Sequence, residues 1–258
     1  MKLITLSIAL IYSVVSMAQD TIVDKSTGVK IIFTAEGKIF PDSWYSAKVK
    51  AKGISLDTSE YTRSEKMITA VLKKYPINLI KSNLKVIYIL KKITFYDQSF
   101  GGTNSKSNVY LSNEGIKEGY SDFYLEQLFH AEFSSILLRN NEKYFDELEW
   151  SKNNVAKFKY GDGGVTALKE NKNSEEFDTK WNVIGFINEY ATSSLENDFN
   201  SFAKNLFLPK IGFDSLLENY SELSSKRKLM IQFYSKLDEF FTEDFFNQIM
   251  HPTEPKLD

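Results

Sequence analysis

Lys85–Phe95 carries Val86, Tyr88 and Leu90 on one face and Ile87 and Ile89 on the other. Two apolar faces predict a strand covered on both sides. Asn108–Leu111 (NVYL) predicts a second, shorter strand. Upstream, Val29–Phe33 (VKIIF), the turn residues Ala35-Glu36-Gly37 and Lys38–Phe40 predict a β-hairpin. Ser59–Lys74 changes to a helical period, with Met67, Ile68, Val71 and Leu72 as its stripe and Thr62 with Glu65 as a capping box. Tyr75-Pro76 stops it. A longer helix is predicted over Ser121–Arg139, where Leu125, Leu128, Phe129, Phe133, Ile136 and Leu137 recur at helical spacing and Ser121 or Asp122 can cap. Residues 140–180 read as irregular. Trp181–Tyr190, Asp198–Phe207, Ser221–Phe241 and Glu243–Met250 read as helices. Strands come early and helices late, which predicts an α+β fold with a small sheet against a helical half.

The N-terminus has its own pattern. Met1-Lys2 precedes an apolar run, Leu3–Val15, and then Ser16-Met17-Ala18. That is the form of an export signal cleaved after Ala18, with an uncleaved anchor as the alternative. No cysteine follows the run, so a lipid anchor is excluded, and no second long apolar run predicts a span after cleavage. The expected organisation is a signal peptide at 1–18 and one domain at 19–258. Within it, 19–58 is β-rich, 59–207 is the central part and 208–258 is helical. The expected location is periplasmic or extracellular.

Composition narrows the chemistry. The chain of 258 residues has no cysteine and only two histidines, His130 and His251. Disulfides, cysteine nucleophiles, cysteine-based zinc sites and any short motif with paired histidines are excluded. A formal net charge of -2 gives no electrostatic footprint for nucleic acid. No G-x-S-x-G elbow is present, and Gly101-Gly102-Thr103 is a turn that lacks the phosphate-loop pattern. Tyr160-Gly161-Asp162-Gly163-Gly164 reads as another turn. Phe233-Tyr234 and Phe240-Phe241 read as core. One residue breaks the pattern of the long helix: Glu132 lies on its apolar stripe. A carboxylate there is costly unless it is paired or reaches water in a cleft. His130, two residues away, points to a different face and reads as structural or surface.

Several stretches together resemble the secreted putative zinc-binding metallopeptidases of gluzincin type found in Bacteroidetes. They are Tyr75-Pro76 after a helix, Val86–Leu90, Phe100-Gly101-Gly102-Thr103, Asn108–Leu111 and the helical run His130-Ala131-Glu132-Phe133-Ser134-Ser135. Gly185–Ala191 resembles the family's GF-x-x-x-YA segment, and Glu196–Phe199 its EDFAE segment. The resemblance spans roughly Ser59–Phe207. It implies a zincin-like fold in which a small sheet packs on the motif helix. In the family an HExxH motif supplies two histidine ligands to zinc and a glutamate that activates the bound water, and a downstream glutamate is the third ligand.

Matched residue by residue, Glu132 takes the place of that glutamate, while Ala131, Ser135 and Ser201 take the three ligand positions. Alanine has no donor atom and a neutral serine hydroxyl is a poor zinc ligand. The resemblance therefore implies a metallopeptidase-like protein without zinc, with Glu132 a vestige of the general base. A weaker site built from His130, Glu132 and Asp198 stays open. The expected function is a non-catalytic cleft for a peptide or cell-surface protein, held along an edge strand at Asn108, Val109, Tyr110 and Leu111. The alternatives are an active peptidase with an atypical ligand set and a structural or inhibitory exported protein.

Overall fold

The computed structural model describes residues 19–209 and 211–252. The expected signal peptide and its cleavage point lie outside them. No described helix is long and apolar enough to cross a membrane.

Among the described residues seven strands form one mixed sheet: β1 (Thr21–Val23), β2 (Lys30–Ile32), β3 (Lys52–Ser55), β4 (Val86–Phe95), β5 (Gln98–Phe100), β6 (Gly102–Asn104) and β7 (Asn108–Ser112). Among the described residues ten α-helices follow or interrupt them: α1 (Tyr61–Leu72), α2 (Ile77–Asn83), α3 (Asp122–Asn140), α4 (Glu147–Ser151), α5 (Gly164–Lys169), α6 (Thr179–Asn182), α7 (Leu195–Leu206), α8 (Phe213–Asn219), α9 (Ser221–Leu237) and α10 (Glu243–Met250). Mixed α+β architecture is what the order of periodicities predicts.

The long strand β4 organises the sheet. Its first half pairs in parallel with β2 on one side and β7 on the other. Its second half pairs antiparallel with β3 and β5. Beyond these lie β1, antiparallel to β2, and β6, antiparallel to β7. The two apolar faces of β4 have separate partners. Ile87 and Ile89, with Val109 and Leu111 of β7, join the main core formed with α1, α3, α7 and α9. Leu90 and Ile93, with Tyr110, join a smaller aromatic cluster containing Phe40, Trp44 and Phe95. Tyr88 stacks on Tyr110 there, with ring centroids 4.9 Å apart.

Several sequence expectations are corrected. The hairpin over residues 29–40 does not form: Lys30–Ile32 pairs back onto Thr21–Val23 and sideways onto β4, while Ile39 and Phe40 leave the sheet to fill the aromatic cluster. The turn that serves this pairing is built by Asp24, whose Oδ1 accepts from the backbone N–H groups of Ser26 and Thr27 at 3.2 and 2.8 Å. Helix α1 starts without the Thr62–Glu65 box; its N-cap is Glu60, which makes no capping bond and pairs with Arg63 instead. Pro76 ends α1 as expected and also opens α2, since proline suits a helix start as well as a stop. Gly102–Asn104 is a strand, not a turn. Helix α9 ends at Leu237, before the Phe240-Phe241 pair.

The segment Trp181–Tyr190 is not one helix. Only Thr179–Asn182 is helical, with a 3-10 turn at Tyr190–Ser193. Gly185 at φ +91° reverses the chain between them. The Asn182 amide then donates to the carbonyls of Phe186 and Ile187 at 2.9 and 2.8 Å, satisfying groups a helix would have paired internally.

The expected edge at Asn108–Leu111 is also corrected. β7 lies between β4 and β6, and Val109, Tyr110 and Leu111 are buried. The edge on this side of the sheet is β6.

Candidate functional site

Helix α3 begins where Ser121 Oγ accepts from the Tyr124 N–H at 3.2 Å, a side-chain cap that fixes its start. It is buried on most of its circumference, and Glu132 falls on the part that faces β6 and α7. Helix α7 is capped in the same way by Ser194 on the Asn197 N–H at 3.1 Å. Between α3, α7, β6 and the stretch 168–175 lies a cleft of about 310 Å³. Ala131, Glu132, Asn200 and Ser201 line it, together with Tyr124, Tyr190, Asn197, Glu175 and Lys204.

The Glu132 carboxylate is half-buried at this cleft. Its Oε2 accepts from Asn104 Nδ2 at 2.7 Å, and Asn104 Oδ1 in turn accepts from Arg139 at 2.6 Å. Gly102 makes this approach possible. A Cβ there would come within 2.9 Å of Glu132 Oε1 and 3.0 Å of its Cγ. Burial is the main reason that Glu132 is pushed up to about 7, and Glu196 and Glu175 add to it; the Asn104 bond and Lys204 oppose it. Burial likewise raises Tyr124 to about 12 and Tyr190 well above the usual phenol range, with Glu132 the next contributor for Tyr190. Lys204, almost fully buried, holds Glu175 at 2.5 Å. Arg139 faces Glu196 at 3.5 Å.

Ala131 and Ser201, two of the three positions expected from the resemblance to stand where ligands belong, line the cleft, and Ser135, the third, is hydrogen-bonded between α3 and α7. Asn200 on α7 reaches the hydroxyls of Ser134 and Ser135 on α3 at 2.6 and 2.7 Å. Ser134 also bonds the Ala131 carbonyl at 2.8 Å. One hydroxyl proton cannot serve two acceptors. The consistent arrangement has the Asn200 amide donating to Ser134 and its oxygen accepting from Ser135. Ser201 donates to the Asn197 carbonyl at 2.8 Å. This donor set does not fit zinc: Ala131 has no donor, and both serine hydroxyls are neutral and engaged. Among the described residues no group of three or more His, Cys, Asp or Glu side chains could hold a metal ion.

His130 and Asp198 are not part of the cleft. His130 is fully buried; its Nδ1 meets the Tyr75 hydroxyl at 2.7 Å, its Nε2 meets Glu126 at 3.3 Å, and its ring stacks on Phe207. Burial lowers it to about 4, so it stays neutral. Asp198 is buried elsewhere, where Oδ2 accepts from Lys226 at 2.6 Å, Tyr160 at 2.8 Å and Trp150 at 2.9 Å. Lys226 also donates to the Gly185 carbonyl at 2.6 Å. The site imagined from His130, Glu132 and Asp198 therefore does not assemble. Sequence reasoning missed Asn104, Tyr190 and Asn200. Only Gly102 left a signal, since a glycine beside a carboxylate-bearing helix marks a close approach.

β6 contributes more than Gly102. The Ser112 N–H donates to the Gly101 carbonyl at 2.7 Å, and the Ser105 N–H to the Asn108 carbonyl at 2.8 Å. In an antiparallel pair hydrogen-bonded positions alternate. Residues 101, 103 and 105 therefore bond to β7, and the backbone groups of Gly102 and Asn104 point outward. Among the described residues nothing pairs with them. The free edge thus lies directly beside Glu132.

Sheet and helices together define a mixed α+β fold. The chain is similar to the crystal structure of a protein from Bacteroides caccae ATCC 43185 described as a "putative zinc-binding metallo-peptidase", with a TM-score of 0.52 and 13% sequence identity over 77% of this chain and 79% of that one. At that identity the likeness is one of fold. No known family profile matches the chain, and no curated protein matches it by sequence.

Proposed function

We propose that this is an exported, metallopeptidase-like protein without zinc catalysis, whose cleft beside Glu132 takes an extended peptide or a segment of a cell-surface protein as an added strand on β6. The observation that carries it is the adjacency of the outward Gly102 and Asn104 backbone groups to a cleft containing Glu132. The absence of catalysis follows from donor chemistry. Without a metal, no water is acidified for Glu132 to deprotonate. The fold likeness to a protein described as a metallo-peptidase makes peptide the natural ligand class. The apolar run and the small residues at 1–18 are what supports export.

One experiment on the purified protein tests this: metal analysis after expression with zinc present, with incubation of the same preparation with a library of acetylated, amidated peptides. Substoichiometric zinc, intact peptides and measurable binding are expected, with binding lost when the peptide backbone is N-methylated. Stoichiometric zinc with cleavage would overturn the non-catalytic reading. Binding that is indifferent to N-methylation would overturn strand addition.

A further inference from the structure

An added strand on β6 presents its side chains alternately to two faces. On one face Gly102 and Asn104 look toward Glu132. On the other, Thr103 borders a second cavity of about 340 Å³, walled by Trp44, Phe95, Tyr96, Phe100 and Val165. Phe100 borders both cavities. Helix α5 does too, through Val165 on the aromatic side and Leu168 on the Glu132 side. The two cavities thus lie on either side of one edge strand.

Their chemistry differs. The Thr103 side is walled mainly by aromatic rings, a surface suited to a bulky apolar group. The Glu132 side has three charged lining residues, Glu132, Glu175 and Lys204. Lys204 is held by Glu175, and Oε1 of Glu132 has no donor among the described residues. One negative charge is therefore left without a cation when Glu132 is ionised.

We infer that the ligand is an extended peptide in which a bulky apolar residue and a lysine or arginine are neighbours, the first filling the aromatic cavity and the second meeting Glu132. This rests on the strand-addition reading above. Adjacency is required by alternation: neighbouring residues of one strand reach opposite faces, whereas residues two apart would compete for the same cavity. Charge complementarity selects the cation, and cavity lining selects the apolar neighbour.

The test uses fluorescence anisotropy with labelled, capped peptides in a serine–threonine host carrying a central Phe-Lys, Ala-Lys, Phe-Glu or Ala-Ala pair. Phe-Lys is expected to bind about tenfold to a hundredfold more tightly than Ala-Lys, and more tightly than Phe-Glu. Trp44→Ala should remove the preference for Phe-Lys over Ala-Lys. Because Trp44 also packs in the aromatic cluster, Thr103→Phe provides a second variant that plugs the cavity from the strand; it should have the same effect. Equal affinity for all four peptides would overturn this inference and leave strand addition standing. Failure of every peptide to bind would overturn strand addition, and this inference with it.

Discussion

Replacing Glu132 by glutamine should stabilise the protein, and only at neutral and alkaline pH. Glutamine keeps the size of the side chain and an oxygen to accept from Asn104, but carries no charge. Burial moves Glu132 from 4.5 to about 7, and each unit corresponds to about 1.36 kcal/mol. The full shift is worth about 3 kcal/mol; the carboxylate keeps some contact with cleft water, so about 2 kcal/mol is the expected cost of ionising it in the folded state. The sign follows from proton counts. Between 4.5 and 7 the folded protein binds more protons at this position than the unfolded chain, so stability is present below that window and falls as pH rises through it. Glu132→Gln removes that loss. Thermal unfolding followed by circular dichroism should show no advantage for the variant near pH 4.5. Near pH 8.5 its midpoint should be higher by about 4 to 8 °C, at 2–4 °C per kcal/mol for a protein of this size. His130 titrates in the opposite sense over the same range but is common to both proteins and cancels in the difference. A variant no more stable than the parent at pH 8.5, or one with an advantage independent of pH, refutes the argument. Glu132→Leu should be less stable than Glu132→Gln, because it leaves the Asn104 amide without its acceptor.

His130, lowered to about 4 by burial, should stay neutral through the normal titration range. Its stabilising contribution is complete above about 6.5 and is lost as pH falls toward 4, and proton NMR should show one of the two histidine ring signals failing to titrate above about pH 5. Lys226→Met should cost about 3–5 kcal/mol in urea unfolding, since it strands the buried Asp198 charge; a cost near zero would mean that Asp198 takes up a proton and the pair is not ionic. Gly185→Ala should destabilise by more than about 3 kcal/mol, because its Cβ would overlap the Asn153 carbonyl and its φ of +91° disfavours any side chain; soluble expression with an unchanged melting temperature would refute this.

The parts of the fold that the sequence displayed are those whose signal is local. β4 declared itself because both its faces had to be apolar to meet two cores, and α3 because a capped helix this long repeats its stripe several times. β6 did not. It has three residues, two of them poor strand formers, and exists because β7 pairs with it. The hairpin over residues 29–40 failed for a related reason: Lys30–Ile32 has a better partner in β4 than in the residues that follow it. At the site, Glu132 was visible as a carboxylate out of place on an apolar stripe. Its setting was not visible, because Asn104, Arg139, Tyr190 and Asn200 come from separate segments and each is an ordinary polar residue in sequence. The resemblance places the edge strand at Asn108–Leu111, but the apolarity of that strand is why β7 sits inside the sheet and cannot be its edge.

Glu132 is hard to explain as a structural residue. A leucine or a glutamine on this stripe would avoid the cost of ionisation. The chain instead surrounds the carboxylate with features that keep it in place: Asn104 bonds it, Arg139 fixes Asn104, and Gly102 omits the one atom that would push it aside. The neighbouring positions show the opposite treatment. Ser134 and Ser135 on α3 bond Asn200 across the contact with α7, Ser134 also bonds the Ala131 carbonyl, and Ser201 bonds the Asn197 carbonyl within its own helix. These hydroxyls are thus consumed by local hydrogen bonds, whereas the acid is kept open at one oxygen. Such a division is in keeping with the proposed role in holding a ligand: a carboxylate with one free oxygen beside the free N–H and C=O groups of two residues would recover its desolvation cost when a cationic donor arrives. Gly102 and Asn104 are held on β7 through their neighbours, so their own N–H and C=O groups have no partner among the described residues.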